Sequence, residues 1–478
     1  MIDRPKFSGP ELCALEAHKV VEMLKCGEVS SSELLDVATL RISQTGPLIN
    51  ATPTLCGDRA RKVAANLNFE NSGRPGWLAG LPITIKDLNK VKDVICSFGT
   101  KGYSNFIPTE SDPMVERLEG CGGVVLGKTN TPEFGVGGNT FNEVFGPTFN
   151  PWDTRLNAGG SSGGAAASLA AGEIWLSHGS DHGGSLRTPA AYCGIVGLRP
   201  SPGVACGPGI DNAFMIEPTQ GPMARSVTDC ALFLDAMSGF DPRIAISYPA
   251  PRTPYQDAVK RADSKLKIAF SPDLGGFGQV DTEMKQHLSE VMYQLEKNGT
   301  RVELASPDLS TLERTYHTLR GLIWALDSKR VPNDIQQHFK KTLSDNISFG
   351  LALTLDDIVE AYLNRSVIFN AMIELFSTYD VLACPTVGCM PHLQSEEWVR
   401  VVGGIELPGY MDWLRFSFLA TTAGLPAISV PVGLGPRGLP VGLQLIGKPR
   451  GEAALLAAAR YVEMAVGGPW GPIDPVTH

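Results

Sequence analysis

The chain has 478 residues, 43% of them hydrophobic and 19% charged, which supplies a large core and excludes a disordered polypeptide. With 41 Lys and Arg against 50 Asp and Glu the net charge is −9, and no basic stripe marks nucleic acid as a partner. No unbroken apolar run approaches the roughly 18 residues of a membrane span, so no membrane partner is expected.

Ten cysteines are scattered without Cys-x-x-Cys spacing. A chain this long needs no disulfide frame, so they read as free thiols of a cytoplasmic protein. The opening Met1-Ile2-Asp3-Arg4-Pro5-Lys6 lacks the apolar run of a signal peptide. His178 and His182 are close, but glycines surround them and no third ligand is evident, so no metal is expected.

Residues 11–43 read as two helices. Leu12, Leu15, Val20, Val21 and Leu24 form a stripe that Gly27 ends, and Ser30 with Glu33 forms a capping box before Leu34, Leu35, Val37 and Leu40. Gly80–Asp87 alternates as a strand, with Thr84 and Lys86 opposite Leu81, Ile83 and Ile85. A helix near Asp112–Leu118 and a strand at Gly123–Leu126 follow. Residues 155–190 are rich in Gly, Ser and Ala, which predicts close backbone packing. Further on, the pattern predicts a helix at Val227–Met237, a strand at Lys265–Phe270 and a helix at Met284–Lys297. A polar helical stretch over 306–375 leads to strands at Val381–Cys384, Ala427–Val430 and Val441–Ile446 and a last helix at Ala453–Met464. Alternating strands and helices make the class α/β.

Two serines carry the chemistry. Ser161 sits in Gly159-Gly160-Ser161-Ser162-Gly163-Gly164, and Ser185 in Asp181-His182-Gly183-Gly184-Ser185-Leu186-Arg187. Glycines beside a hydroxyl let backbone N–H groups converge on one point, as an oxyanion requires. Lys86, at the end of an apolar strand, is a candidate base, because burial disfavours its ammonium form. Thr188-Pro189 reads as a helix start, and Asp181 and Arg187 are expected to pair and fix the loop.

Two motifs are rejected. Gly159-x-Ser161-x-Gly163 matches a nucleophile elbow, but the turn-like Asn150-Pro151-Trp152-Asp153 stands where a strand is required. Gly122 to Thr129 matches a phosphate-binding loop letter for letter, yet Gly123-Val124-Val125-Leu126 reads as strand and Pro132 follows.

Together, Gly80–Asp87, Gly127–Asn130, Asn150–Trp152, Gly159–Gly164, Gly183–Ser185, Gly197–Pro200, Gly221–Arg225, Gly424–Pro431 and Gly438–Gln444 resemble the amidase signature family over nearly the whole chain. The resemblance implies a central mixed twisted β-sheet flanked by helices, with a helical cap. It divides the chain into an N-terminal helical segment (1–70), a core (71–305), a cap (306–400) and a C-terminal part of the core (401–478), in one continuous catalytic domain.

The resemblance also implies a Ser-cisSer-Lys triad: Lys86 as base, Ser161 as bridge after a cis bond from Gly160, and Ser185 as nucleophile. The oxyanion hole falls on the backbone of His182, Gly183, Gly184 and Ser185, and Gly135 and Gly160 are candidate substrate contacts. His182 stands where many relatives carry an aliphatic residue, and its ring is assigned a packing role. The pocket walls are expected from 130–145, 205–220 and 306–400.

The expected activity is hydrolysis of a small-molecule amide through an acyl-enzyme, without a cofactor. Carbamate or ester hydrolysis by the same triad stays open, as does the glutaminase subunit of a tRNA-dependent amidotransferase. Homodimers are common among relatives, but no interface is legible in this chain.

Overall fold

The computed structural model describes residues 4–205, 213–435 and 437–478. Eleven strands form one mixed sheet: β1 (Thr54–Leu55), β2 (Pro82–Lys86), β3 (Val124–Thr129), β4 (Leu176–Asp181), β5 (Val196–Arg199), β6 (Thr219–Ala224), β7 (Lys267–Phe270), β8 (Arg301–Leu304), β9 (Val381–Pro385), β10 (Ala427–Leu434) and β11 (Pro440–Gly447). Their order across the sheet is β1-β3-β2-β4-β6-β5-β10-β11-β9-β7-β8. β2 runs parallel to both β3 and β4, so Lys86 and Asp181, the last residues of β2 and β4, lie at the same edge. In open α/β sheets ligands bind outside the carboxyl ends of parallel strands, and this edge carries the candidate site.

The N-terminal hairpin is Ala17–Cys26, capped by Gly27 at φ 74°, and Ser31–Ile49, begun by the Ser30/Glu33 capping box. The second helix runs beyond the expected residue 43 through Pro47 to Ile49. The small-residue tract forms the helix Gly163–Ala170, every residue of which is buried. A Cβ on Gly164 would stand 2.4 Å from Asn130 N and 2.5 Å from Ala51 O, so only glycine admits the β3 backbone this closely.

Five strands were not predicted: β1, β4, β5, β6 and β8. β6 contains Pro222 between two ladder partners, and β4 reads Leu-Ser-His-Gly-Ser-Asp with no alternation of polarity. Both lie almost wholly inside, where the two faces no longer differ.

The rejected elbow needs one amendment. A strand does precede Ser161, at Asp153–Asn157, but it lies outside the main sheet, in a two-stranded ribbon with Phe149–Asn150 and a single bridge from Leu156 to Leu393. The phosphate-loop match is strand β3, and its Lys128 is fully buried with Nζ 2.6 Å from Asp87 Oδ1.

The segment 306–400 contributes the helices Leu312–Ser328, Lys341–Leu351 and Leu355–Thr378. Tyr316 stacks on Phe418 with ring centroids 3.6 Å apart, which packs the first of these helices against the helix Phe418–Ala423. Leu312, Ile368, Phe376, Trp413 and Leu382 belong to the same apolar cluster.

Candidate active site

Lys86 is completely buried, as its strand position requires. Its Nζ lies 2.6 Å from Ser161 Oγ and 3.1 Å from Ser180 Oγ. Burial lowers its pKa to about 7, with Asp181 opposing the shift. The Gly160–Ser161 peptide is cis. Ser161 and Ser185 line one cavity of about 180 Å³, and Ser162 N–H donates to Ser185 O at 3.2 Å.

The loop after β4 is organised by Asp181. Its carboxylate accepts from the N–H groups of Gly184 (3.1 Å) and Leu186 (3.0 Å) and from Arg187 Nη2 (2.8 Å), and Arg199 Nη1 donates to its backbone O at 2.7 Å. Burial alone would raise the Asp181 pKa, but Arg187 and Arg199 hold its carboxyl well below the usual carboxylate range. Because Gly184 N–H is engaged by Asp181, this structure leaves the amides of His182, Gly183 and Ser185, among the described residues, without a protein acceptor.

His182 O accepts from Thr421 Oγ1 at 2.7 Å, which ties the loop to a distant segment. Its ring lines the cavity and meets Tyr316 edge-on at 6.2 Å. Burial, then Arg320 and Arg199, push its pKa well below the ordinary value, so the imidazole is neutral at pH 7.

Two further positions differ from expectation. The helix after the loop is Arg187–Cys193, so it starts two residues before Pro189, and Thr188 N–H donates to Gly184 O instead of serving as a cap. Pro189 is tolerated there because the first helical N–H groups have no intrahelical acceptor. Gly160 does not line the cavity: a Cβ on it would stand 2.8 Å from Gly137 O, so it is a packing glycine. Gly135 does line it, at φ 73°, and a Cβ there would stand 3.3 Å from Ser161 Oγ.

The amidase family model matches residues 33–456. The chain belongs to the amidase family. These enzymes are hydrolases of carbon–nitrogen bonds other than peptide bonds. The chain is similar to an acylamidase of Rhodococcus erythropolis, 33% identical over 96% of this chain and 97% of that one. It is also similar to a glutamyl-tRNA(Gln) amidotransferase subunit of Moorella thermoacetica, 32% identical over 95% of this chain and 97% of that one. Among solved structures it resembles a bacterial aryl acylamidase of the amidase signature family, with a TM-score of 0.87 at 27% identity, covering 96% of this chain and 97% of that one. The eleven-stranded mixed sheet flanked by helices is thus the amidase signature fold.

The walls of the amidase's cavity come from the expected segments: Phe134 and Gly137, Pro218, and Arg320, Ile323 and Trp324. Residues 206–212 of the predicted 205–220 wall lie outside the described residues. Met411 and Leu414 also line it and were not predicted, nor was Ser180, which strand alternation from His178 would have placed opposite Gly179.

Among the described residues, two groups bring three potential metal ligands within 4.8 Å, Glu16–His18–Asp229 and Glu313–His317–Asp412. Neither lines the cavity, and each already serves the protein. Asp229 accepts from the backbone of Ala17 and His18, and Arg415 pairs with both Glu313 and Asp412.

Proposed function

We propose that this amidase cleaves a small linear amide through an acyl-enzyme on Ser185, with Ser161 relaying the proton to Lys86. The observation that carries the reading is the 2.6 Å approach of a fully buried lysine nitrogen to Ser161 Oγ. An uncharged amine there accepts the Ser161 proton, and Ser161 takes the proton of Ser185 as its Oγ attacks the carbonyl. The oxyanion faces the free amides of His182, Gly183 and Ser185, each such donor being worth about 3 kcal/mol. The relayed proton passes to the departing amine, and water, deprotonated along the same path, releases the acid. The cavity of about 180 Å³ is smaller than the ~300–1,000 Å³ of pockets for drug-sized ligands, which supports a small enclosed group. Nine described cysteines are free thiols, which supports a reducing, cytoplasmic setting.

The active amine is the unprotonated one, so activity is lost as pH falls through the Lys86 pKa. With that pKa at about 7, kcat/KM on an aryl anilide should rise with unit slope below pH 7 and level off above it. A rate that is flat down to pH 5 removes Lys86 as the base.

Similarity to amidotransferase subunits favours a second reading, a glutaminase subunit. The same assay separates them: the purified chain alone should turn over anilides or primary amides, whereas activity on glutamine only with an added partner subunit would replace the first reading. Aryl carbamates in the same panel report whether the acyl-enzyme route extends to them.

A further inference from the structure

Five described arginines are buried: Arg41, Arg187, Arg199, Arg225 and Arg320. Three of them pair with a carboxylate, and a fourth, Arg225, lies away from the cavity and is held by backbone carbonyls. Arg41 pairs with Asp474, Arg187 and Arg199 share Asp181, and Arg225 donates to the backbone carbonyls of Cys13, Leu15 and Ile174. Arg320 differs. It is 5% exposed, it lines the cavity shared by Ser161 and Ser185, and among the described residues no carboxylate pairs with it. Its Nε donates to Asn346 Oδ1 at 3.2 Å and its Nη2 to Tyr410 Oη at 2.8 Å, both neutral acceptors. Burying a guanidinium without a counter-charge is costly, so a protein that keeps one beside its reactive serines holds it for something.

The neighbours on the same helix point the same way. Tyr316, Arg320 and Trp324 are spaced i, i+4 and i+8, on one face. Trp324 Nε1 is buried with no hydrogen-bond partner, and Tyr316 Oη lies against the Arg320 guanidinium. Tyr316 Oη would stand 2.5 Å from a Cβ on Gly183, beside the loop whose amides are free, and Trp324 lines the cavity with Arg320. Asp327, which also lines the cavity, is engaged by another protein group. A charged donor and, one turn on, an unpartnered indole N–H match a group that is anionic and accepts hydrogen bonds only. A carboxylate fits, and a guanidinium recognises it in a fork.

We infer that Arg320 is a substrate-recognition residue that takes a carboxylate carried by the amide substrate, with Tyr316 and Trp324 beside it. The substrate is then a short amide with an anionic end, sized to the small cavity. This rests on reading the cavity as the amide site, and its test does not need turnover.

Binding is measured by calorimetry to the Ser185→Ala protein at low salt. The probes are glutaramate and N-acetyl-β-alaninate, whose carboxylates lie on the acyl and amine sides, each compared with its neutral carboxamide. At least one anion should bind tenfold or more tightly than its amide, and Arg320→Gln in the same background should abolish the difference while Arg320→Lys keeps part of it. Equal affinity of both anions and their amides overturns the proposal, as does a preference that survives Arg320→Gln. Should Arg320→Gln fail to fold, the ratio in the Ser185→Ala protein decides alone. Anilide hydrolysis with the expected pH profile but no preference for the anions would leave the amidase reading standing without this one.

Discussion

Replacing Ser185 with alanine is expected to lower kcat by roughly 10⁴–10⁶, the scale on which removing a serine nucleophile acts. The structure gives the reason in its loop. Ser185 stands between a strand end fixed by Asp181 and the helix Arg187–Cys193, and its own N–H has no protein acceptor among the described residues. Its hydroxyl therefore shares a cavity with Ser161 and with the loop of His182 and Gly183. Among the described residues, the hydroxyls that Lys86 Nζ contacts are those of Ser161 and Ser180. A fluorophosphonate should label Ser185 in the wild-type protein and nothing in Ser185→Ala, as read by mass spectrometry of the digested chain. A label on Ser161 would exchange the roles of the two serines.

Asp181→Asn should be the most damaging change that touches no substrate. The wild-type carboxylate is completely enclosed by Arg187 and Arg199 and by the N–H groups of Gly184 and Leu186. An amide is nearly the same size, yet it leaves two buried guanidiniums without a counter-charge. Breaking a buried pair this way costs about 3–5 kcal/mol, well above the exposed pairs of the surface. The urea midpoint should fall accordingly, and kcat should fall with it because the loop loses the anchor that aims its amides. A midpoint within error of wild type would show that the network does not hold the loop.

Much of this is legible in the sequence, and the part that is not has a physical cause. Lys86 announced itself because Leu81, Ile83 and Ile85 alternate with polar positions over a single strand, a local pattern. Ser161 and Ser185 announced themselves through adjacent glycines, whose conformational freedom is also local. β4 and β6 were hidden because both faces are buried, which removes the alternation that betrays a half-exposed strand. The assignment of Gly184 to the oxyanion hole needed knowledge that Asp181 turns back to accept its N–H. Arg320 was hidden for a different reason. On paper it is one charged residue of a mixed helix. Its place beside the serines comes from long-range packing, including the stacking of Tyr316 on Phe418 far along the chain. Met411 and Leu414 reach the cavity by the same long-range packing.

The proposed chemistry turns on the charge of one amine. An NMR titration of isotope-labelled lysine side chains, with Lys86→Met to assign the resonance, measures it without reference to any substrate. The signal that disappears in the variant should titrate near pH 7. A Lys86 amine that stays protonated to about pH 10, as an ordinary lysine does, would contradict the mechanism.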